Sequence, residues 1–398
     1  MKPELGRGPL ELAAGQVLGP GAPVDLEAVE RFTTPRAALE AVVLPALASG
    51  RCLVSFSGGR DSSAVLAVAA AVAQREGLNP PIPVTTRFRE HESADESSWQ
   101  EQIVTLLRLE DWLRVDCGDE LHILGPVARA LVRRHGVMFP PNAHLHVPLF
   151  EPARGGVLLT GIGGDEIVGG VRFTRTAAVL AGKRFPRPRD VLGVGFRLTP
   201  LALKRALSRR SLRGISPWLR PRAHRDLTQA LAAYFGTEPI PWADRLRWWL
   251  EAPYLQAAQA TFDVVAADAQ AGVQHPLVDP RFVAAVARLP FDEHWTTRTE
   301  GMRRLFADLL PDEVLKRVGK ASFGHIFALD PRLELLRRWR GEGIDPELVD
   351  PVTLRRIWGA DPVDPSSIPL LQHVAHVLEG DGSGSAAREL EHTLHDAR

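Results

Sequence analysis

The stretch CLVSFSGGRDSS, residues 52–63, combines an apolar run with a glycine turn and the start of a helix. The apolar residues predict a short β-strand, and a strongly helical run, AVLAVAAAVAQRE, follows at residues 64–76. Gly58 and Gly59 lie between the two, and adjacent glycines let the backbone approach a ligand with no Cβ atom in the way. The N–H groups and the dipole at the start of a helix favour an anion, so the stretch predicts an anion-binding site.

Four polar side chains make this prediction more specific. Ser57, Ser62 and Ser63 supply hydroxyl donors, whereas Asp61 would repel a phosphate group. The presence of this acid is explained if it holds a divalent metal ion that bridges to the phosphates. The alternative is an ordinary corner between a strand and a serine-capped helix. The complete pattern S-G-G-x-D-S in this context favours a nucleotide phosphate site.

The pattern differs from a Walker P-loop, since the chain has no G-x-x-x-x-G-K-[ST] at this position. It resembles instead the pyrophosphate loop of the N-type ATP pyrophosphatases. Those enzymes cleave ATP between the α and β phosphates and leave AMP on the substrate. The resemblance therefore implies that ATP is the ligand of the turn.

Composition limits the classes of protein to consider. The chain has 398 residues, 45% of them hydrophobic, which is enough for two domains and a sizeable core. Its two cysteines, Cys52 and Cys117, indicate a reducing compartment rather than a disulfide scaffold or a cysteine-based zinc site. The N-terminal residues contain no apolar signal-peptide core, and no run reaches the roughly 18 apolar residues that a membrane helix needs. We therefore expect a cytoplasmic protein.

Strands and helices are predicted to alternate through the first half of the chain. Strands are expected at residues 52–56, 84–88, 112–115 and 157–160, and helices at 37–49, 64–76, 96–109 and 121–136. In the helix at 96–109, Ile103, Leu106 and Leu107 are expected to share one buried face. The alternation predicts an α/β fold with a doubly wound parallel sheet of the N-type ATP pyrophosphatase kind, followed by a mainly helical region. Strand signals end at about residue 175.

Four segments follow from these patterns. Residues 1–36, which are rich in glycine and proline, are expected to form an N-terminal arm that is extended or a loose cap. Residues 37–175 are expected to form the ATP-pyrophosphatase α/β core, and residues 176–379 the mainly helical part. Residues 380–398 read as a polar, flexible tail.

A second glycine turn follows the predicted strand at 157–160. Residues 160–170 read TGIGGDEIVGG, with glycines at Gly161, Gly163 and Gly164 and acids at Asp165 and Glu166. In a doubly wound sheet, ligands bind outside the carboxyl ends of the strands, where both turns are expected. Asp165 is then expected to face Asp61 across one pocket, and two facing carboxylates suit Mg²⁺ on a pyrophosphate group. Taken alone, this motif also fits a capped helix start with two favourable acids.

Together, the patterns S-G-G-x-D-S and G-x-G-G-D-E resemble those of the synthetase domain in the asparagine synthetase family. Three further stretches agree with that family and occur in the same order: HPLVDPRFV at 275–283, LLP at 309–311 and RVGKASF at 317–323. The resemblance covers roughly residues 37–330. It implies ATP and Mg²⁺ as cofactors, with the metal held by Asp61 and Asp165. Asp279 is expected to cap the helix that follows it rather than to take part in the chemistry.

The resemblance also implies roles for individual residues. Lys320 matches a family lysine that contacts phosphate and stabilises the reacting centre, where negative charge accumulates as pyrophosphate leaves. The catalytic candidates are Lys320, Asp165 and Glu166. The residues expected to bind ATP are Ser57, Gly58, Gly59, Asp61, Ser62, Ser63, Gly161, Gly163 and Gly164.

Two departures from the family change the expected reaction. Glutamine-dependent asparagine synthetases carry a nucleophilic cysteine after Met1, whereas residue 2 here is Lys2, so we expect no glutamine hydrolysis by that route. True asparagine synthetases also carry a catalytic glutamate where this chain has Ile162, which cannot accept a proton. The candidates for an acid or base in its place are Glu166, His144, His146 and Glu151. The two histidines are expected to share one face of an extended stretch, with ordinary loop histidines as the alternative.

Three functions remain open. The favoured one is an ATP-dependent amide-forming ligase that adenylates a carboxylate and joins it to an amine, on a peptide or specialised metabolite. Lasso-peptide macrolactam synthetases and β-lactam synthetases are family members of this kind, and a substrate that brings its own amine fits both departures. The alternatives are an ammonia-dependent asparagine synthetase and a non-catalytic partner subunit.

Charge is unevenly distributed although the whole chain has a formal net charge of zero. Residues 172–225 contain 15 Lys or Arg and one acid, Asp190, which gives a net charge of +14 and leaves −14 for the remainder. This segment either pairs with the acidic remainder or forms a docking surface for an acidic peptide or carrier at the substrate entrance. Nucleic acid is less favoured, since no aromatic residues interleave with the charges, and no membrane partner is expected.

Overall fold

A five-stranded parallel sheet forms the centre of the molecule in a computed structural model that describes residues 8–88, 96–169, 212, 214–239, 241–317 and 329–380. The strands are β1 Cys52–Ser55, β2 Ile82–Arg87, β3 Leu113–Asp116, β4 Val157–Leu159 and β5 Gly272–Gln274. Their order across the sheet is β3-β2-β1-β4-β5. The predicted α/β fold with a parallel sheet is confirmed.

Helices account for most of the remaining described residues. They are α1 Pro9–Ala14, α2 Pro35–Ala48, α3 Arg60–Glu76, α4 Ser97–Leu106, α5 Pro126–His135, α6 Val147–Phe150, α7 Gly164–Ile167, α8 Pro221–Phe235, α9 Trp242–Leu250, α10 Pro253–Asp268, α11 Pro280–Ala287, α12 Arg298–Phe306, α13 Asp312–Leu315, α14 Leu329–Arg338 and α15 Pro351–Trp358. A further helical run covers residues 368–380. In the described parts of the chain, no helix is long and apolar enough to cross a membrane.

Both faces of the sheet are buried, because side chains alternate between faces along each strand. In β1, Val54 belongs to a hydrophobic core that includes residues of α2, α3 and α11, whereas Leu53 belongs to a core that includes residues of α10. Leu159 and Leu158 in β4 divide between the same two cores. This two-sided burial explains why the strands read as continuous apolar runs.

Successive strands are added to the sheet on one side of β1 first and then on its other side. The chain passes from β1 to β2 and β3 on one side, and β4 and β5 lie on the other side. β1 and β4 are neighbours in parallel register, with Leu53 opposite Leu158. The crevice at their carboxyl ends is the switch point at which α/β sheets bind ligands. Both glycine turns begin there.

β5 corrects the expectation that strands end before residue 175. Val157 pairs with Gly272 and Leu159 with Gln274, so a short segment far along the chain supplies an edge of the sheet. Its three residues, GVQ, are only partly buried and contain a single β-branched side chain. Such a segment has too little apolar content to stand out in a helical region. The domain boundaries at 36/37, 175/176 and 379/380 remain predictions.

Helix starts and faces also differ from the predictions. α3 begins at Arg60 rather than at residue 64, so Asp61 lies in its first turn. α5 begins at Pro126 rather than at residue 121, because proline fits the first position of a helix. In α4, Ile103 is buried as expected, but Leu106 is 48% exposed because it lies on the outward side of the last turn.

The N-terminal arm is packed rather than loose in its described part, residues 8–36. Ala14 at the end of α1 is fully buried. The indole of Trp218 donates to the Ala13 carbonyl at 2.7 Å, and the Ser216 hydroxyl donates to the Ala14 carbonyl at 3.1 Å. These contacts join the arm to a further hydrophobic core, distinct from the two beside the sheet, that includes residues of α8, α14 and α15. Of the predicted tail, residues 380–398, all but residue 380 lie outside the described residues.

Candidate active site

Three side chains hold the first glycine turn by its carbonyl oxygens. Gln100 Nε2 donates to the Ser57 carbonyl at 3.1 Å. The Gly58 carbonyl accepts from Trp99 Nε1 at 3.1 Å and from Arg317 Nη1 at 2.9 Å. Gly58 has φ +78°, a backbone conformation that glycine adopts without strain. The shape of the turn is therefore fixed by donors from α4 and from the segment after α13.

This arrangement determines where the amide groups of the turn point. The C=O and N–H of a trans peptide lie on opposite sides. Because donors outside the turn hold the carbonyls of Ser57 and Gly58, the N–H groups of Gly58 and Gly59 point in the opposite direction. The latter donates to Ser57 Oγ at 3.3 Å. The turn leads directly into the N-terminus of the 17-residue α3, where an anion is favoured, and the anion site stays a prediction.

The serine hydroxyls close on the turn itself. Ser57 Oγ and Ser62 Oγ lie 3.2 Å apart. The hydroxyls of Ser62 and Ser63 donate to the Gly59 carbonyl at 3.1 and 2.8 Å, respectively. Ser62 and Ser63 are buried. In this structure these two hydroxyls stabilise the first turn of α3, and their predicted role as ATP ligands stays a prediction.

The second glycine turn packs directly on the first. A Cβ atom on Gly164 would overlap the carboxyl group of Asp61, and one on Gly161 would press against the backbone of Ser62. Gly163, with φ +84°, packs in the same way against Val278, which belongs to the stretch HPLVDPRFV. The absence of side chains in this turn is thus what brings Asp61 and the second motif together, as the sequence predicts.

Arg298, the first residue of α12, joins the two aspartates. Its Nη1 atom pairs with Asp165 and its Nη2 atom pairs with Asp61. The side chains of Arg298 and Asp61 are largely enclosed, whereas that of Asp165 is about half exposed at 56%. The two carboxylates therefore lie within the span of a single guanidinium group.

A second arginine lies beside this group. Arg60 Nη1 donates to the Thr299 hydroxyl at 3.3 Å. Burial lowers the pKa of Arg60, and the nearby positive charge of Arg298 lowers it further. The start of α3 thus has two guanidinium groups and two carboxylates within a small volume, and guanidinium groups are well suited to bind phosphate oxygens.

Glu166 is directed to a different neighbour from Asp165. Tyr254, in α10, donates its hydroxyl to Glu166 Oε1 at 3.0 Å. Burial raises the pKa of Glu166, which the tyrosine hydrogen bond partly offsets. Burial, followed by the charge of Glu166, raises the pKa of Tyr254, so its hydroxyl keeps its proton. A carboxyl group with a raised pKa beside the aspartates is suited to take up a proton.

The donor set at this site fits Mg²⁺ bound together with a nucleotide. Mg²⁺ is commonly held by one or two carboxylates, with phosphate and water oxygens completing its octahedron. Asp61 and Asp165 supply two such carboxylates. Among the described residues, this site included, no group of three or more His, Cys, Asp or Glu side chains could hold a metal ion, so other metal ligands here would have to come from the nucleotide and water. The roles of the two aspartates as metal ligands stay predictions.

The histidine candidates are placed differently from the prediction. His144 and His146 lie in a short 3₁₀ turn, Ala143–His146, and not in an extended stretch. His144 Nε2 hydrogen-bonds the Leu121 carbonyl at 2.9 Å, and the ring of His146 packs on Phe262. Burial lowers the pKa of each histidine to about 4, so both are neutral structural groups near pH 7. Glu151 is exposed at the end of α6.

Three other predicted residues have different outcomes. Asp279 caps α11, accepting from the Arg281 N–H at 2.9 Å and pairing with the Arg281 guanidinium, as predicted. Ile162 packs against the apolar cores beside the sheet. Lys320 lies outside the described residues, but Arg317 of the same RVGKASF block contacts Gly58 and also pairs with Glu96 at 2.5 Å.

Sequence patterns did not single out Arg298, Tyr254, Trp99 or Gln100 as residues of the site. Arg298 follows Thr297, whose hydroxyl accepts from the Glu300 N–H, while the Glu300 carboxylate accepts from the Thr297 N–H. This capping box is visible in the sequence T-R-T-E and marks the start of α12. It gives the position of a helix N-terminus but not the distance to Asp61.

The fold and the site define a class of protein, namely a parallel α/β protein with two glycine turns and paired acids at the switch point of its sheet. The family model described as asparagine synthase matches residues 36–371. The chain therefore belongs to the asparagine synthetase family, whose members use ATP in ligase-type reactions. A comparison with curated protein sequences found no match.

Proposed function

We propose that this protein is an ATP-dependent, AMP-forming ligase that adenylates a carboxylate and joins it to an amine on a peptide or specialised metabolite. The observation that supports this most directly is the contact between the two glycine turns. It brings Asp61 and Asp165 within the span of one guanidinium group beside the N-terminus of α3. Membership of the asparagine synthetase family gives the reaction class.

The proposed reaction has two bond exchanges. A substrate carboxylate oxygen bonds to the α-phosphorus of ATP as the bond to the oxygen bridging to the β-phosphate breaks, and pyrophosphate leaves. An amine nitrogen then bonds to the acyl carbon as the carbon–oxygen bond to AMP breaks, and the nitrogen loses one proton. When bound, Mg²⁺ would neutralise charge on the departing pyrophosphate.

The first glycine turn and α3 are assigned to ATP binding. The Gly58 N–H, which lies opposite the Ser57 carbonyl that Gln100 holds, and the guanidinium of Arg60 are assigned to phosphate oxygens. Arg317 and Trp99 keep the turn in its binding shape through the Gly58 carbonyl. Lys320, three residues after Arg317, is proposed to stabilise the reacting phosphorus centre, in line with its match to the family lysine.

Glu166 is proposed as the group that accepts the proton of the attacking amine. Its raised pKa brings it closer to the working pH, and Tyr254 holds it through a hydrogen bond. Ile162, in the position of the family's catalytic glutamate, has no group that could do this. The proposed base is thus four residues after the position of the family's glutamate, in the turn G-D-E rather than on the apolar side of the strand end.

Pyrophosphate release tests the proposal. The purified protein is incubated with ATP, Mg²⁺ and candidate carboxylates and amines, and pyrophosphate and AMP are measured together. Asp61→Asn and Asp165→Asn should each reduce release by at least a hundredfold, which would reflect loss of transition-state stabilisation of about 3 kcal/mol. Asp268→Asn is the matched control, because Asp268 pairs with Arg134 and His135 in another part of the fold.

The same assay separates the alternatives. Release with aspartate and ammonia, giving asparagine, would support the second candidate, an ammonia-dependent asparagine synthetase. Absence of release with every substrate, at measurable ATP affinity, would support a non-catalytic partner subunit. Either aspartate variant acting at the full rate would refute the metal assignment.

A further inference from the structure

The start of α12 fixes the backbone of Arg298 independently of its contacts with the aspartates. Arg298 is the first residue of α12, whose start is fixed by the reciprocal bonds between Thr297 and Glu300. The Glu300 carboxylate also accepts from the N–H and the hydroxyl of Thr296, both at 2.8 Å. With the backbone anchored on both sides, the Arg298 side chain starts from a defined point at the edge of the site.

The guanidinium group uses both of its terminal nitrogens on the aspartates. Nη1 pairs with Asp165 and Nη2 with Asp61, and only 13% of the Arg298 side chain is exposed. Two carboxylates at this separation repel one another unless a cation lies between them. Arg298 supplies that cation from the chain itself.

The carboxylates of Asp61 and Asp165 cannot both bind Arg298 and a divalent metal ion between them at the same time. A divalent ion held by both aspartates would take the place between the carboxylates that the guanidinium fills, and the guanidinium keeps its charge in proteins. Arg60, whose Nη1 donates to the hydroxyl of Thr299 next to Arg298, already places a second positive group there, so a divalent ion would add to an existing repulsion. Binding of the ion therefore requires Arg298 to release at least one aspartate.

We infer that Arg298 is an internal competitor of the divalent metal ion for Asp61 and Asp165. It holds the two carboxylates within the span of one guanidinium group, and it lowers the apparent affinity for the ion according to the fraction of molecules in which it occupies them. The inference rests on the metal-binding part of the proposed function. It assigns to Arg298 a positioning role rather than a catalytic one.

Metal binding without turnover tests the competition. Mn²⁺ replaces Mg²⁺, and free Mn²⁺ is measured by electron paramagnetic resonance in the presence of α,β-methylene-ATP, in which the α–β link cannot be cleaved. Arg298→Gln should bind Mn²⁺ about tenfold more tightly than the wild type if the arginine occupies the aspartates in about nine of ten molecules. Arg303→Gln is the matched control, since Arg303 lies on the same helix and pairs with Asp312.

Melting temperatures show whether a change in Mn²⁺ binding comes from the loss of Arg298 or from poor folding of the variant. In the presence of a chelator, Arg298→Gln should lower the melting temperature, because the two carboxylates then lose the guanidinium that bridges them. In an Asp61→Asn background the same substitution should cost much less, since the repulsion is already gone. Arg298→Lys, which keeps the charge, should restore most of the loss.

Unchanged or weaker Mn²⁺ binding in Arg298→Gln would overturn the inference. So would an equal loss of melting temperature in the two backgrounds. Absence of Mn²⁺ binding in both proteins, together with Mg²⁺-dependent pyrophosphate release, would overturn it while leaving the ligase assignment standing. Tighter Mn²⁺ binding with no pyrophosphate release under any condition would support the competition and remove the ligase assignment.

Discussion

The Tyr254 hydroxyl and the Glu166 carboxylate form a polar pair whose two pKa values are both raised by burial. The hydrogen bond acts against burial at Glu166, because it stabilises the ionised carboxylate. The proton acceptor of the proposed reaction is therefore tuned by a residue from a helix more than 80 positions away. A substitution that removes only this hydroxyl isolates its effect.

Tyr254→Phe should move the acid limb of the pH profile of kcat/KM to higher pH. The base acts only when deprotonated, so the rate falls as pH decreases through the Glu166 pKa. Loss of the hydrogen bond leaves burial less opposed and raises that pKa further. The shift should be at most about one pH unit, since such a bond contributes about 0.5–1.5 kcal/mol and one unit corresponds to about 1.4 kcal/mol.

Tyr234→Phe is the matched control for this experiment. The Tyr234 hydroxyl is buried and makes no hydrogen bond to the described residues. This variant should leave the acid limb where it is. An acid limb that stays in place in Tyr254→Phe, or moves to lower pH, would remove Glu166 as the proton acceptor.

Residues with a local signature were predictable, and residues recruited from a distance were not. Asp61 and Asp165 each lie in a glycine turn after a strand, and parallel topology brings such turns together. Arg298 and Tyr254 lie in ordinary helical sequence, 237 and 88 residues from the partners they contact. No local pattern records those distances, because the packing of α10 and α12 sets them.

The first glycine turn depends on α4 for its shape. Trp99 and Gln100, adjacent in that helix, donate to two successive carbonyls of the turn. Arg317 stacks over the Trp99 ring at 4.8 Å while donating to the Gly58 carbonyl. The helix thus supports the turn from outside and fixes the shape that the proposed ATP site uses.

Trp99→Phe should weaken nucleotide binding by about two- to tenfold. The ring remains, so packing is retained, and one hydrogen bond of about 0.5–1.5 kcal/mol to the Gly58 carbonyl is lost. Calorimetric titration with α,β-methylene-ATP gives the dissociation constant. Trp242→Phe is the control, because Trp242 Nε1 donates to the Val286 carbonyl at 2.9 Å, away from the turn. Equal affinities for the two variants would contradict this supporting role.

Element positions were predicted better than element ends. All four predicted strands exist, each displaced by one or two residues at most. α3 starts four residues before its prediction because Asp61, Ser62 and Ser63 fit a first helical turn as well as a loop, with Gly59 at the cap position. The predicted helix start at residue 64 separated the first glycine turn from its helix, whereas in the structure α3 begins directly after Gly59.

The uneven distribution of charge along the chain is a property of the whole molecule, and the proposed reaction assigns no role to it. Most of the basic segment at 172–225 lies outside the described residues. Its described part includes Arg222 and Arg225, which are exposed on α8. Exposed arginines beside an otherwise acidic molecule favour binding of an acidic acceptor, and this remains a proposal.

Reversal of Arg209, Arg210 and Arg213 to Glu should raise KM for an acidic acceptor severalfold without changing ATP affinity. The change replaces an attractive field by a repulsive one at the proposed substrate entrance, so its effect should weaken as salt concentration rises. Reversal of Arg337, Arg338 and Arg356, which are exposed outside the segment, is the control for net charge. An unchanged KM in the first variant would exclude the segment as a docking surface.

Because β4 pairs with β5, the two halves of the chain depend on each other to complete the sheet. A shortened protein that ended near residue 175 would carry both glycine turns but would leave the outer edge of β4 open, and open edges promote aggregation. It would also lose the arginine that bridges the aspartates. Recombination of this nucleotide-binding half with an unrelated partner would therefore have to replace a strand and a counter-charge at the same time.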